Sequence, residues 1–105
     1  MIVKSENAKK REFKGVSFDV LAVGEKTMIT RMNFKMEDNV PFHKHPNEQN
    51  GYVVSGKYKI KLKESEDIIS SGDSYSIGVD VLHAFEVIEP GVIIDVFTPI
   101  RQDYI

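Results

Sequence analysis

The sequence contains no cysteine among its 105 residues. This absence excludes disulfides, thiolate metal ligands, iron–sulfur clusters and cysteine nucleophiles, and it fits a reducing compartment. No apolar run approaches the length of about 18 residues that predicts a membrane-spanning helix. The N-terminal residues 1–12 are mostly polar and lack the pattern of a secretory signal. We therefore expect a cytoplasmic protein without a membrane partner.

The charge shows no large excess of either sign. Lysine and arginine contribute 14 residues against 16 acidic ones, a formal net charge of −2. Such a balance lacks the electrostatic footprint of a general nucleic-acid binder, so we expect no nucleic-acid partner. The length and a hydrophobic content of 41% suit a single domain, residues 1–105. Residues 1–12 are expected to form an N-terminal arm, which is either solvated or paired as an edge strand.

Hydrophobic residues recur with a period of two, which is typical of half-buried β-strands. In residues 57–63, four lysines alternate with Tyr58, Ile60 and Leu62, and we interpret the lysine stripe as a solvated face. Turn residues separate the strand-like segments, and no amphipathic helix is found. The pattern predicts an antiparallel sandwich or small barrel. Its other predicted strands are residues 13–23, 27–35, 49–55, 73–77, 82–88 and 92–98.

All three histidines lie in or beside strand-like segments. His43 and His45 are separated by one residue, so an extended backbone places both imidazoles on one face. Two such rings can converge on one metal ion, at about 2.0–2.1 Å from each nitrogen. Glu48 and Gln49 follow as nearby oxygen donors, and His83 lies far downstream. The spacing alone leaves two interpretations open, a metal site and a set of satisfied or exposed histidines.

The order of these residues resembles the first sequence motif of the cupin family, G-x5-H-x-H-x3-4-E-x6-G. The similar segment is residues 40–56, with the sequence VPFHKHPNEQNGYVVSG. His43 and His45 take the two histidine positions. Gln49 takes the acidic position, followed by six residues and Gly56.

The second cupin motif, G-x5-P-x-G-x2-H-x3-N, is similar to the segment that begins at Gly72. His83 takes the histidine position, whereas Gly78, Asp80 and Val87 replace the proline, glycine and asparagine of the motif. These departures affect the turn before the histidine and leave the histidine itself. The resemblance extends over about residues 28–100, and two motifs in the expected order make it more specific than the histidine pair alone.

The cupin resemblance implies an all-β fold, a cupin-type antiparallel jelly-roll barrel with one divalent metal ion inside. The implied ligands are His43, His45, Gln49 and His83. Glu48 is the alternative fourth ligand, but Gln49 occupies the motif position and Glu48 would face the other side of the strand. The ligand set suits Ni, Zn, Mn, Fe or Co without selecting among them. Glutamine in place of a carboxylate leaves the site more positive, which favours Lewis-acid chemistry on an anion over redox chemistry.

The C-terminal residues 92–105 are similar to the closing segment of small cupins from pectin and alginate breakdown. Those cupins open 4,5-unsaturated uronates to linear 5-keto-4-deoxyuronates. The resemblance implies that Asp95 is catalytic and that Phe97 and Arg101 bind the substrate. Asp95 and Phe97 have the parity needed to face a barrel interior. Arg101 could hold a carboxylate in bidentate fashion, or it could equally pair with Asp103 or with a neighbouring subunit.

The sequence therefore predicts a metal-dependent enzyme for a small anionic sugar acid, with Asp95 as general acid/base, and the resemblance implies a homodimer. One alternative is a cupin that binds or senses a small ligand without chemistry. Another is a metal-dependent isomerase or oxygenase of a different substrate, and a third is a structural barrel with a vestigial site. Tyr52, Tyr75 and Arg31 are candidates for the pocket rim that the sequence does not place.

Overall fold

A computed structural model describes all of residues 1–105. The chain folds into ten β-strands, as the period-two hydrophobic pattern favours. Two single turns of 3₁₀-helix, Ser5–Asn7 and Gln102–Tyr104, lie near the chain ends. No helix is long and apolar enough to cross a lipid bilayer. The strands are β1 (Lys9–Phe13), β2 (Val16–Val23), β3 (Met28–Phe34), β4 (Asn39–His43), β5 (Glu48–Val53), β6 (Lys57–Leu62), β7 (Ser65–Ser70), β8 (Ser74–Ile77), β9 (His83–Glu89) and β10 (Gly91–Thr98).

The strands form two sheets that enclose the core. The larger sheet has the order β1-β2-β3-β10-β5-β8 and the smaller one β4-β9-β6-β7. Every pair is antiparallel. From β3 onward the chain crosses repeatedly between the sheets, so most neighbouring strands are distant in sequence. This winding is that of a jelly roll, and the predicted all-β antiparallel fold is confirmed.

Alternating burial along the strands separates the core from solvent. In β3, every second residue from Met28 to Phe34 is buried, as predicted for residues 27–35. A core cluster of 16 buried residues draws on both sheets. Across it, the ring of Phe34 lies 5.1 Å from that of Tyr58 and 6.3 Å from that of Phe85. These contacts fix the separation of the two sheets around the space that holds the histidines.

The structure divides the single strand predicted for residues 13–23. The chain reverses at Lys14 and Gly15, whose φ angles are 50° and 86°, and Phe13 then pairs with Val16. Two residues of positive φ between paired strands are typical of a type I′ hairpin, whose twist matches the flanking strands. Lysine is not a preferred residue for that conformation, so the turn gave no sequence signal. The N-terminal arm thus contributes an edge strand, β1, rather than being wholly solvated.

Two further strands, β4 and β7, were not predicted because neither alternates regularly. Only Val40 is fully buried in β4, which also contains Pro41. In β7 the one buried residue is Ile69. Both strands are recognisable only from their partners, β9 and β6, in the smaller sheet.

Candidate metal centre

The three histidines meet in the space between the sheets. His43, the last residue of β4, pairs directly with His83, the first residue of β9. His45 lies in the loop that leads to β5. The ring centroid of His83 lies 4.2 Å from that of His43 and 5.0 Å from that of His45. One ligand atom from each residue lies within 4.8 Å of the others, so the three histidines are positioned to bind a metal ion.

Backbone carbonyls fix the orientation of all three imidazoles. The Nδ1 atoms of His43, His45 and His83 lie 2.9, 3.0 and 2.8 Å from carbonyl oxygens of Pro41, Asn47 and Val81. Because a carbonyl oxygen only accepts, each Nδ1 carries the proton and each Nε2 keeps its lone pair. A partner of this kind is typical of metal-binding histidines.

The inward-facing atoms of the site are electron-pair donors without protons. His83 Nε2 is buried and has no hydrogen-bond partner, and His45 Nε2 lies 3.0 Å from Gln49 Oε1. Two acceptors at that distance repel each other unless a cation or a proton lies between them. Burial lowers the pKa of each imidazole, that of His83 to about 4, so the rings are neutral at pH 7. Three neutral imidazoles and an amide oxygen suit a divalent transition metal.

Gln49 and Glu48 lie on opposite faces of β5. Gln49 is 4% exposed and contacts His45, whereas Glu48 is exposed to solvent. This follows from the alternation of side chains along a strand. The geometry therefore places Gln49, and not Glu48, beside the histidines.

Asp95 and Phe97 share the inner face of β10. Asp95 is 3% exposed, and the Tyr75 hydroxyl donates a hydrogen bond of 2.5 Å to its Oδ1. Burial raises the pKa of Asp95 to about 6, although hydrogen bonds from Tyr75 and Gln49 oppose the rise. The Phe97 ring lies 5.6 Å from that of His45. Phe97 thus forms an apolar wall beside the histidines, and Asp95 is an acid that can change its protonation state near neutral pH.

Arg101 is buried and already has polar partners. Its Nε and one terminal nitrogen bond the carboxylate of Asp103, at 3.3 and 2.8 Å, and its other terminal nitrogen bonds the Tyr104 hydroxyl at 3.0 Å. The guanidinium carbon lies 4.0 Å from the ring centroid of Tyr104 and 5.3 Å from that of Phe97. The pairing of Arg101 with Asp103 is one of the arrangements that the sequence left open. A guanidinium has five N–H groups, so N–H groups remain for an incoming carboxylate.

One narrow cavity joins these groups. Its free volume is about 20 Å³, which holds about one water molecule. The half-buried rings of Phe13 and His43 lie on its exposed side, with centroids 5.2 Å apart. The cavity is lined by Phe13, Met32, Phe34, Val40, His43, Gln49, Tyr75, His83, Phe85, Asp95, Phe97, Arg101 and Tyr104.

Of the three residues that the sequence could not place, the structure brings only Tyr75 to the cavity. Arg31 and Tyr52 lie on the outer face of the larger sheet, where Arg31 bonds Asp19. Asn47 and Tyr104 were missed by sequence reasoning. The Asn47 side chain donates to the Pro99 carbonyl oxygen at 2.7 Å, which ties the loop of His45 to the segment after β10. The only local signal for Asn47 was its position between the second histidine and Gln49.

The sequence matches the family described as Cupin domain over residues 30–97, whereas no curated protein matches it. An RmlC-like cupin from Shewanella frigidimarina has a similar structure, with a TM-score of 0.91 at 23% identity over 99% of this chain and 95% of that chain. KdgF from Halomonas sp. has a TM-score of 0.89 at 24% identity over 98% of each chain. The polyketide cyclase RemF from Streptomyces resistomycificus has a TM-score of 0.82 at 16% identity, over 97% of this chain and 81% of that chain.

At these identities the structural likenesses show the fold alone. The family match is a separate finding, because it covers well over half of the chain and contains all of the proposed ligands. It agrees with the jelly-roll topology and with the three converging imidazoles. The chain therefore belongs to the cupin domain family.

Proposed function

We propose that this cupin is a metal-dependent enzyme that opens a small 4,5-unsaturated uronate to the linear 5-keto-4-deoxyuronate. The observation that carries the proposal is the position of Asp95. This buried carboxyl has no cationic partner, and it lines the same cavity as two histidines and Arg101. An ionisable group in such surroundings is more often functional than structural.

The proposed metal ligands are His43, His45, Gln49 and His83. When bound, a divalent Ni, Zn, Mn, Fe or Co ion supplies Lewis acidity and positive charge for an anionic substrate. The residues that hold it contribute no negative charge, because three are neutral imidazoles and one is an amide. This donor set supports the assignment to an anionic sugar acid.

The reaction is an isomerisation, so the protons removed and added balance without a co-reactant. Ring opening breaks the bond between C1 and the ring oxygen and removes the proton of the C1 hydroxyl group. The resulting enolate becomes the 5-keto product when C4 gains a proton. We assign both transfers to Asp95, which takes one proton and returns one. Tyr75 bonds Oδ1, so Oδ2 is the oxygen assigned to the transfer.

Arg101 and Phe97 are proposed to orient the sugar acid. Arg101 can give its remaining N–H groups to the substrate carboxylate while Asp103 and Tyr104 hold the guanidinium in place. Phe97, which is 2% exposed, offers an apolar surface to a ring face. Because the cavity holds about one water molecule, substrate entry requires a side chain at the exposed side to move outward. Phe13 is the proposed mobile group, since it lies on the edge strand β1 and is half-buried.

The direct test is the ultraviolet absorbance of an unsaturated uronate, which is lost when the conjugated double bond disappears. Protein loaded with Ni²⁺, Zn²⁺ or Mn²⁺ is expected to accelerate this loss over a control without enzyme. No acceleration with any of the three metals would overturn the assigned substrate.

The ligand set is tested separately with a matched pair of variants on β5. Gln49→Ala is expected to weaken metal binding about tenfold or more, whereas Glu48→Ala leaves it unchanged because Glu48 faces solvent. Chelator competition measures both affinities. Equal weakening by the two variants would contradict the choice of Gln49.

The small free volume favours a second candidate, a cupin that binds a ligand without chemistry. If its mouth does not open, the cavity of about 20 Å³ admits only a water-sized ligand to a bound metal. Calorimetric titration of the metal-loaded protein with a saturated uronate distinguishes the candidates. Binding supports entry of a sugar acid, whereas binding of small anions alone favours the second candidate.

The homodimer implied by the resemblance is also part of the proposal. Sedimentation equilibrium at two protein concentrations tests it, since the chain has a mass of 11.9 kDa. A mass near that of one chain at both concentrations would contradict it.

A further inference from the structure

Four residues form one row across the inner face of the larger sheet. The register pairs Asp95 with Thr30 on β3 and with Gly51 on β5, and Gly51 with Tyr75 on β8. Tyr75 and Asp95 are therefore separated by one whole strand, and adjacent strands lie about 4.8 Å apart. A side chain on the intervening strand would normally lie between them.

Gly51 leaves that position empty. A Cβ atom built at Gly51 would overlap the phenol ring of Tyr75, so the ring occupies the space that any other residue would fill. In this way the Tyr75 hydroxyl crosses β5 and reaches Asp95 Oδ1 at 2.5 Å. That distance is typical of a charge-assisted O–H···O⁻ hydrogen bond.

The same bond fixes the carboxyl group of Asp95. The Thr30 hydroxyl on the other side of Asp95 has no hydrogen-bond partner, and no cation bonds this carboxyl. Gln49 also hydrogen-bonds this carboxyl, and the phenol of Tyr75 is the contact that holds Oδ1 and so helps to set the rotation of the carboxyl plane. Since Tyr75 and Asp95 both line the cavity, this rotation decides how Oδ2 meets a ligand.

From this row we infer that Tyr75 is a positioning residue for Asp95 and that Gly51 is the residue that allows it to act. The inference rests on the proposed function, in which Asp95 transfers the proton. Tyr75 keeps its own proton and donates a hydrogen bond, so it adds nothing to the proton count. A purely structural role is the competing explanation, because the Tyr75 ring also packs 5.5 Å from that of Phe85.

Removal of the hydroxyl group alone separates the two roles. Tyr75→Phe keeps the ring and its packing, and Tyr58→Phe is the matched control, because Tyr58 is also buried and bonds the Ser55 carbonyl oxygen at 2.9 Å. Both variants are expected to lose thermal stability to a similar extent. Tyr75→Phe alone is expected to lower kcat, by about 10- to 100-fold, with KM nearly unchanged. An equal kcat in the two variants would overturn the positioning role.

A second measurement does not depend on the substrate. The Tyr75 hydroxyl proton, shared with a carboxyl group, is expected to give a downfield proton resonance in the metal-loaded protein. Tyr75→Phe, Asp95→Asn and Gly51→Ala are each expected to remove it, and Tyr58→Phe to keep it. A resonance that persists in Gly51→Ala would overturn the role of Gly51, and one that persists in Asp95→Asn would overturn the contact.

The two measurements also separate this inference from the proposed function. A wild-type protein that does not act on unsaturated uronates overturns the proposed function and the catalytic part of the positioning role. The contact between Tyr75 and Asp95 across Gly51 is then decided by the proton resonance alone. An active wild type with equal kcat in Tyr75→Phe and Tyr58→Phe overturns the positioning role and leaves the proposed function standing.

Discussion

Two buried aspartates of the larger sheet, Asp19 and Asp95, differ in the neighbours that the strand register gives them. They are 1% and 3% exposed, so both are shielded from water, Asp19 by neighbouring side chains on the outer face of the sheet and Asp95 by the interior. Asp19, on β2, lies opposite Lys10 on β1 and Arg31 on β3. The nearest nitrogens of these two side chains lie 2.6 and 2.8 Å from its oxygens, and the Asn33 amide donates to it at 3.1 Å.

Asp95 has none of these cations. Its register neighbours are Thr30 and Gly51, and its closest hydrogen-bond donor is the neutral phenol of Tyr75. The pKa values move accordingly in opposite directions. Burial raises both, but the partners of Asp19 outweigh burial and lower its pKa to about 2, whereas the pKa of Asp95 rises to about 6.

Burial alone therefore does not identify a functional acid. The positive charges of Lys10 and Arg31 compensate the charge of Asp19, so Asp19 is a structural anion that stays ionised. Neutral donors alone, Tyr75 and Gln49, leave Asp95 an acid that can gain or lose a proton near pH 7. Cross-strand neighbours, which the sheet order selects, decide between these outcomes.

The largest expected effect comes from Asp95→Asn. This variant keeps the size of the side chain but removes the acid, so we expect turnover of the unsaturated uronate to fall by about 10² to 10⁴-fold. Stability toward urea at pH 7 is expected to be equal or higher, because a buried carboxylate without a cation is removed. Undiminished turnover would contradict the catalytic role proposed for Asp95.

Asp19→Asn is expected to give the opposite result. Loss of the carboxylate leaves Arg31 and Lys10 without their shared partner, and the lowered pKa of Asp19 corresponds to about 2 kcal/mol of stability at pH 7. The free energy of unfolding should fall by about that amount in urea titrations. Turnover should be unchanged, since Asp19 lies on the outer face. A variant that loses turnover and keeps its stability would reverse the assignment of the two aspartates.

The histidine site was largely predictable because the two cupin motifs mark its residues in the sequence. The choice of Gln49 over Glu48 follows from the position of Gln49 in the first cupin motif, whereas the placement of His43 and His45 on one face follows from the alternation of side chains on extended chain. The shared inward face of Asp95 and Phe97 follows from the same rule. The structure places all of these residues as the parity predicts.

The environment of each aspartate was not predictable, because it depends on strand order. Tyr75 reaches Asp95 only because β5 lies between β8 and β10 and has a glycine at the crossing point. Of the two cations around Asp19, Lys10 requires the hairpin at Lys14 and Gly15, where the sequence pattern predicted one continuous strand, and Arg31 requires the pairing of β2 with β3. Pairing between strands that are distant in sequence cannot be predicted from the local pattern. The hairpin was not predicted either, because lysine is not a typical residue of its turn type.

The pH dependence of stability should distinguish the two aspartates by sign. Asp19 has a folded-state pKa of about 2 against an ordinary value of 3.8. Its contribution is therefore complete above about pH 4 and is lost as the pH falls toward 2. We expect the stability difference between wild type and Asp19→Asn, about 2 kcal/mol at pH 7, to disappear over that interval. A difference that stays constant down to pH 2 would contradict the compensated state of Asp19.

For Asp95 the expected sign is reversed. Its pKa in the folded protein, about 6, lies above the ordinary value of 3.8, so the folded state holds the proton longer than the unfolded state does. In the metal-free protein, stability relative to Asp95→Asn should decrease as the pH rises from about 4 to about 6. Urea titrations across that interval measure the slope. A rising or flat difference would contradict the raised pKa.

The smallest expected effect is that of Lys10→Ala. The Lys10 side chain is 74% exposed, although its Nζ lies 2.6 Å from Asp19, and an ion pair with such an exposed partner contributes only about 0–1 kcal/mol. Arg31→Ala should cost more, because the Arg31 side chain is 24% exposed and both its Nε and a terminal nitrogen contact Asp19. Thermal unfolding at low and high salt compares the two variants, and added salt should reduce the Lys10 effect first. A larger loss of stability in Lys10→Ala than in Arg31→Ala would contradict this order. The ionised state of Asp19 would then depend mainly on Lys10 and the edge strand β1.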